Sequence, residues 1–193
     1  SIIAELISYR ERFGQIKKID FRIDADFTFI RARAMEIFRR MAAEEIKPQA
    51  IAANSRLQVF RDKELLSSMS GQNVILCVGI ESLDQRVLDD YRKDQRRSDV
   101  IEAVKALHDH GIKVLGYMIY GADYDDRDTL KRYAEFIHDS RLDYFHVSLL
   151  TPYPGTGLFD RLSAERRIFT RNWAFYDGLH LTFKPARMSA YEM

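Results

Sequence analysis

Residues 74–80 read Val-Ile-Leu-Cys-Val-Gly-Ile, and residues 112–120 read Ile-Lys-Val-Leu-Gly-Tyr-Met-Ile-Tyr. The first is an unbroken apolar run, the pattern of a strand covered on both faces, as in parallel sheets flanked by helices. Between the two, Val100, Val104 and Leu107 recur at helical spacing, and Gly111 closes that helix. Strand, helix and second buried strand in this order make a βαβ unit with a right-handed crossover.

The alternation continues in both directions. Upstream, Ile3, Leu6, Ile7 and Arg10 to Phe13 form an amphipathic helix ending near Gly14, and Lys17 to Asp24 reads as a strand. Ile30, Ala34, Ile37, Phe38 and Met41 repeat at helical spacing, Gln49 to Asn54 follows Pro48 as a strand, and Glu64 to Met69 is a short helix closed by Gly71. Downstream, Leu130, Tyr133, Ala134 and Ile137 mark a helix, and Asp143 to Leu150 the last clear strand. After Thr151-Pro152 the periodicity gives way to a proline- and aromatic-rich tail holding Trp173, Phe175, Tyr176 and Phe183, with Ser189 placed as the N-cap of one more helix. The expected organisation is a βα core over residues 1–150 and an extension over 151–193. A closed or partly closed barrel fits; an open doubly wound sheet is the alternative.

Composition narrows the function. Thirty Lys and Arg against 29 Asp and Glu leave a formal charge of +1, which offers no electrostatic case for nucleic acid or an anionic membrane. Cys77 is the only cysteine, so the chain forms no internal disulfide and cannot by itself ligate a zinc ion or an iron–sulfur cluster. No apolar run approaches the roughly 20 residues a membrane helix needs, and no signal peptide opens the chain; a cytoplasmic location is expected. Both termini fall inside structured segments, so the chain reads as a piece of a longer protein.

Parallel α/β folds place ligands at the C-terminal ends of their strands. Those ends carry Asp24-Ala25-Asp26, Asn54-Ser55-Arg56, Gly79-Ile80-Glu81-Ser82, Tyr120-Gly121-Ala122-Asp123, and Ser148 followed by Thr151 and Pro154, whereas Lys17, Lys47 and Lys113 sit at strand starts. The rim has no Ser/His/Asp set and no metal-ligand spacing. A Schiff-base lysine is also missing, since Lys93, the nearest, belongs to a helical segment and taken alone reads as a surface residue. His108 and His110 read as a solvated helix end, His138, His146 and His180 as structural or surface residues, and Cys77 as core. Gly155-x-Gly157 reads as a turn.

Taken together, the rim segments resemble radical S-adenosylmethionine (radical SAM) enzymes. Gly79-Ile80-Glu81-Ser82 with Leu88 and Lys93 resembles their fourth-strand region, Gly116-Tyr117-Met118-Ile119-Tyr120-Gly121 the fifth-strand glycine motif, and Leu150-Thr151-Pro152-Tyr153-Pro154-Gly155-Thr156 the sixth-strand segment. Asp24-Ala25-Asp26-Phe27-Thr28 resembles a second-strand pattern; Trp173 to Tyr176-Asp177-Gly178 and Phe183-Lys184-Pro185 also fit. The set is most similar to the subgroup that often carries an N-terminal cobalamin domain. The resemblance implies an α/β fold, a partial TIM-like barrel of the (β/α)6 type lacking its first strand: five βα units plus the tail, starting just after the family's Cys-x-x-x-Cys-x-x-Cys loop.

The resemblance also implies roles. Glu81 and Ser82 would meet the ribose hydroxyls and methionine part of SAM, and Lys93 the methionine carboxylate. Ile119 and Gly121 would pack on the adenine, with Leu150 and Thr151 offering it backbone contacts. Asp24, Asp26 and Arg56 would lie on the substrate side. Asp123 and Asp125 stand where many members carry a glutamate after the fifth-strand glycine. The whole protein would use SAM and a [4Fe–4S] cluster, with cobalamin as a further cofactor of the subgroup, to make a 5′-deoxyadenosyl radical. This chain, without the cluster cysteines, is expected to hold none of these and to be inactive. The substrate is not identified, and the sheet edge left by the missing strand is expected to favour self-association. A non-radical α/β-barrel lyase or aldolase and a non-catalytic βα scaffold remain as competing readings.

Overall fold

The computed structural model describes all 193 residues. Helix α1 (Ile2–Phe13) leads to β1 (Lys18–Asp20), α2 (Arg31–Ala43), β2 (Ala50–Ser55), α3 (Lys63–Met69) and β3 (Val74–Glu81). Then come α4 (Gln85–Asp90), α5 (Arg97–Asp109), β4 (Lys113–Tyr120), α6 (Thr129–Ser140), β5 (Tyr144–Leu149) and α7 (Gly157–Ala164), with short 3-10 turns at Leu57–Arg61 and Trp173–Phe175.

The five strands are parallel and lie in one sheet in the order β1-β2-β3-β4-β5. Ile19 is opposite Ile51 and Ile51 opposite Val74. A strand order that never reverses is the barrel-type solution and removes the doubly wound alternative, whose order turns back at a switch point. The α/β partial barrel is therefore the fold.

Local chemistry accounts for where elements start and stop. Ser1 caps α1, its hydroxyl accepting the Ala4 N–H, and Gly14, at φ 80°, closes the helix by donating to the Arg10 carbonyl at 2.8 Å. Strand β1 is shorter than the expected Lys17–Asp24. The Asp20 carboxylate accepts both the Arg22 amide and its guanidinium, and the Asp24 N–H turns back to the Phe21 carbonyl, so the chain leaves the sheet after Asp20. Helix α7 arises where the sequence reads as irregular tail: the Thr156 hydroxyl accepts the Phe159 N–H and starts it. Ser189 caps no helix. Its N–H donates to Glu192 Oε2 and its carbonyl accepts the Glu192 N–H, a turn closed by its own side chain.

The chain packs as two compact units. The first holds Ser1–Ile80, Arg97–Gly116 and Ser140–Phe145. Its core is filled by fully buried Phe27, Phe38, Met41, Ile51, Leu65, Leu66, Met69, Leu76 and Ile80, and it takes in Cys77. Gly116 is required there, because an added Cβ would lie 2.5 Å from Ile80 Cδ1. The second unit holds Glu81–Arg96, Tyr117–Asp139 and His146–Met193. Its core is Leu150, Leu162 and Phe183, with Ile119, Tyr91, Leu158, Ile168 and Leu181 packed around them. Burying a side chain the size of Phe183 contributes roughly 2–3 kcal/mol. The tail is tied in by backbone bonds: Ile168 bridges Phe183 antiparallel, and Leu149 donates to the Gly178 carbonyl at 2.7 Å.

Candidate functional site

Strand β3 ends on Glu81, whose φ of 64° lies in the left-handed region. A residue with a Cβ pays about 1–2 kcal/mol there, and such strain concentrates at functional sites. Its carboxylate meets Lys93, with Nζ to Oε1 at 2.8 Å and side chains 15% and 43% exposed. Lys93 is delivered by the turn that ends α4, where its N–H donates to the Leu88 carbonyl at 2.8 Å. Ser82 is buried, and its hydroxyl accepts the Asp84 N–H at 3.1 Å.

Strand β4 brings Ile119, half-buried, and Gly121, whose φ of 111° is one that residues with a side chain rarely adopt. Behind this turn sits Asp125, 2% exposed, whose Oδ2 accepts the N–H groups of both Gly121 and Ala122 at 2.8 Å. Burial pushes the Asp125 carboxyl above its ordinary value, against the pull of those two N–H groups. Tyr133, from α6, is 2% exposed and donates to the Ile119 carbonyl at 2.9 Å. Burial, reinforced by the charge of Asp125, raises the phenols of Tyr133 and Tyr91 well above the tyrosine range. The Tyr91 hydroxyl is buried with no partner.

After β5, the Leu150 N–H donates to the Tyr120 carbonyl at 2.8 Å. Leu150 and Thr151 line a cavity of about 540 Å³ together with Tyr91, Ala122, Asp123 and Arg161, a volume in the range of cofactor sites. Asp123 pairs with Arg161 at 2.5 Å and Arg167 at 2.7 Å. Burial pushes its carboxyl up, but the two guanidinium groups outweigh that and hold it below the usual range.

The seven residues expected to hold SAM thus fall in the second unit: Glu81 with Lys93, Ser82 beside Ile119 through Tyr133, Gly121 on the Asp125 turn, and Leu150 and Thr151 at the cavity. The substrate-side residues fall in the first unit. Asp26 pairs with the exposed Arg56 at 3.4 Å, and Asp24 pairs with Arg33 at 3.2 Å. The sequence reading used Tyr133 only as part of the apolar stripe of α6 and did not mark it or Tyr91 as a site residue, because helical spacing shows that a tyrosine is buried but not what its hydroxyl meets. Asp125 stood in the right stretch, but only the folded turn shows which of the neighbouring aspartates closes it.

No group of three or more His, Cys, Asp or Glu side chains is placed to hold a metal ion. Cys77 is 1% exposed in the middle of β3. These residues do not fit an iron–sulfur cluster. Glu81, Ser82, Lys93, Ile119 and Gly121 lie outside the lining of the cavity that Leu150 and Thr151 share with Asp123 and Arg161.

The fold is an α/β partial barrel, and the residues expected to form its site lie at the strand ends. The model of the radical SAM superfamily matches residues 3–137, and the chain belongs to that family. It is 30% identical over 196 residues to bacteriochlorophyllide d C-12(1)-methyltransferase of Chlorobaculum tepidum, covering 100% of this chain and 41% of that protein. It is 31% identical over 183 residues to an uncharacterized methyltransferase of Pyrococcus horikoshii, covering 95% of this chain and 39% of that protein. Its fold matches the radical SAM methyltransferase TsrM of Kitasatospora setae, a structure containing cobalamin and a [4Fe–4S] cluster, with TM-score 0.66, 16% identity, 85% of this chain and 33% of that one. The chain spans about two fifths of the length of these two sequence relatives.

Proposed function

We propose that these residues form the SAM-holding part of a radical SAM enzyme that transfers methyl groups. The observation that carries the reading is the Glu81–Lys93 pair at the end of β3, 2.8 Å apart, with Glu81 held at a strained φ of 64°. A carboxylate accepts both hydroxyls of a ribose diol, and an ammonium pairs with an α-carboxylate. The two side chains neutralise each other in this structure and can each turn to one end of the same ligand. Ile119 and the Gly121 turn offer an apolar face and close backbone approach to a purine. Leu150 has committed its N–H to Tyr120, so it meets that purine with its side chain and carbonyl. Membership of the family and the methyltransferase relatives support methyl transfer.

When bound in the whole protein, SAM and its cluster supply one-electron and methyl-group chemistry. The residues described here contribute binding and orientation, and the cluster thiolates are not among them. A non-radical aldolase is disfavoured, because Lys93, the one lysine near the rim, is held as an ion pair by Glu81.

Because the residues proposed to hold SAM all lie within this chain, the chain alone should bind SAM, contrary to the expectation from its missing cysteines; the test is equilibrium binding of SAM to the wild-type chain and to Glu81→Gln and Lys93→Ala variants. Each variant should weaken binding about tenfold or more, the loss expected on removing a charge-assisted contact. Unchanged affinity in both would remove the reading. The chain alone, incubated with SAM, iron, sulfide and a reductant, should yield no 5′-deoxyadenosine above the protein-free background.

A further inference from the structure

We propose that Tyr133 is a positioning residue for the SAM rim, its single hydroxyl fixing the end of β3 against the end of β4; the inference rests on the SAM-binding reading above. Tyr133 projects from α6 and is 2% exposed, with Oη 2.9 Å from the Ile119 carbonyl and 3.5 Å from Ser82 Oγ. A carbonyl can only accept, so the phenol proton is committed to Ile119. The contact with Ser82 must then use the Ser82 proton, directed at Tyr133.

Ser82 Oγ also accepts the Asp84 N–H. With its proton and one lone pair engaged, Ser82 can only accept from a ligand, and so meets a hydroxyl or an ammonium and not a carboxylate. The chain Asp84 N–H, Ser82, Tyr133, Ile119 carbonyl joins the two segments expected to grip opposite parts of SAM. A phenylalanine would fill the same volume. What a phenylalanine would lack is the bond to the Ile119 carbonyl at 2.9 Å and the longer contact with Ser82 at 3.5 Å. Asp125 braces Gly121 and Ala122, just beyond Ile119, through their N–H groups. Tyr133 adds a side-chain link between the ends of two strands that are already neighbours in the sheet.

The experiment measures dissociation constants for SAM, 5′-deoxyadenosine and 5′-deoxyinosine on the wild-type chain, Tyr133→Phe, Ser82→Ala and the double variant. Leu107→Ala, a core change in the first unit, serves as a destabilised control. Tyr133→Phe should weaken SAM and 5′-deoxyadenosine about five- to tenfold. It should also shift the adenine-to-hypoxanthine preference, which a uniform loss of stability would not move. The Ser82→Ala and Tyr133→Phe losses should be less than additive, because both break one chain. If Tyr133→Phe does not fold, Ser82→Ala must still give a loss in the same direction. A wild type that binds and a Tyr133→Phe variant that binds equally well overturn the positioning role alone. A Leu107→Ala control that shows the same shift in preference also overturns it. A wild type that takes up none of the ligands overturns the SAM reading and this inference with it.

Discussion

Glu81 illustrates a residue kept for its side chain against the preference of its backbone. At φ 64° a glycine would sit without strain, and an alanine would keep the strain with no partner for Lys93. Glu81→Gly should therefore be more stable than Glu81→Ala by about 1 kcal/mol, roughly 2–4 °C in Tm for a chain this size. Both should bind SAM equally poorly. Thermal melts in which the alanine variant equals or exceeds the glycine variant would contradict the backbone argument. Asp125 offers a second test. Both backbone N–H groups reach the same oxygen, Oδ2, so an amide oxygen can replace it. Burial raises the folded-state pKa of Asp125. Its contribution is therefore fully present below the unfolded-state value near 4 and is lost as pH rises through the folded value. Asn does not titrate. Asp125→Asn should gain stability relative to wild type as pH rises above the unfolded-state value near 4; urea melts showing a constant or shrinking gap would exclude this. The sequence announced Glu81 through its strand-end position. It could not announce its left-handed backbone, because that depends on where Lys93 is delivered after α4.

At the scale of elements, the tail depends on Asp123. Its carboxylate joins the turn after β4 to Arg161 on α7 and to Arg167 in the segment that pairs with Phe183. The folded-state pKa of Asp123 is lowered, so its stabilisation is present above about pH 4 and is lost as pH falls through the folded value. Trp173, the only tryptophan, meets Tyr176 edge-on with ring centres 4.8 Å apart and lies tilted 6.4 Å from Phe159 of α7. Its emission should shift as pH falls below about 4. Asp123→Ala should show the same shift already at pH 7. Emission that follows only global unfolding by circular dichroism would detach the tail from this ion cluster. The strands and long helices were legible from period and apolar runs. Helix α7 was not, because its N-cap Thr156 follows a proline and a glycine that read as turn. Strand β1 was overread for the opposite reason. Its apolar alternation runs on past Asp20, where side-chain bonds to Arg22 end the pairing.

For the whole molecule, the sheet ends on β1 and β5, each with one strand neighbour. β1 pairs over only three residues, and β5 exposes Tyr144 at 43% and Phe145 at 56%. Open edges of this kind template pairing with another chain. Sedimentation equilibrium of the 193-residue chain should show mass rising with concentration, and Phe145→Lys should reduce it. A constant monomer mass over the series would refute edge association. No helix is long and apolar enough to cross a membrane. The sequence by itself determined the βα alternation, the buried β3 and β4, and the order of the rim motifs, because apolar periodicity and strand-end polarity are local properties. The tertiary structure alone decided that the strands run in unbroken order, that Glu81 faces Lys93, and that Tyr133 and Asp125 brace the β4 turn. Those facts are hydrogen bonds and ion pairs between residues 3 to 51 positions apart. Their geometry exists only once the βα units have packed.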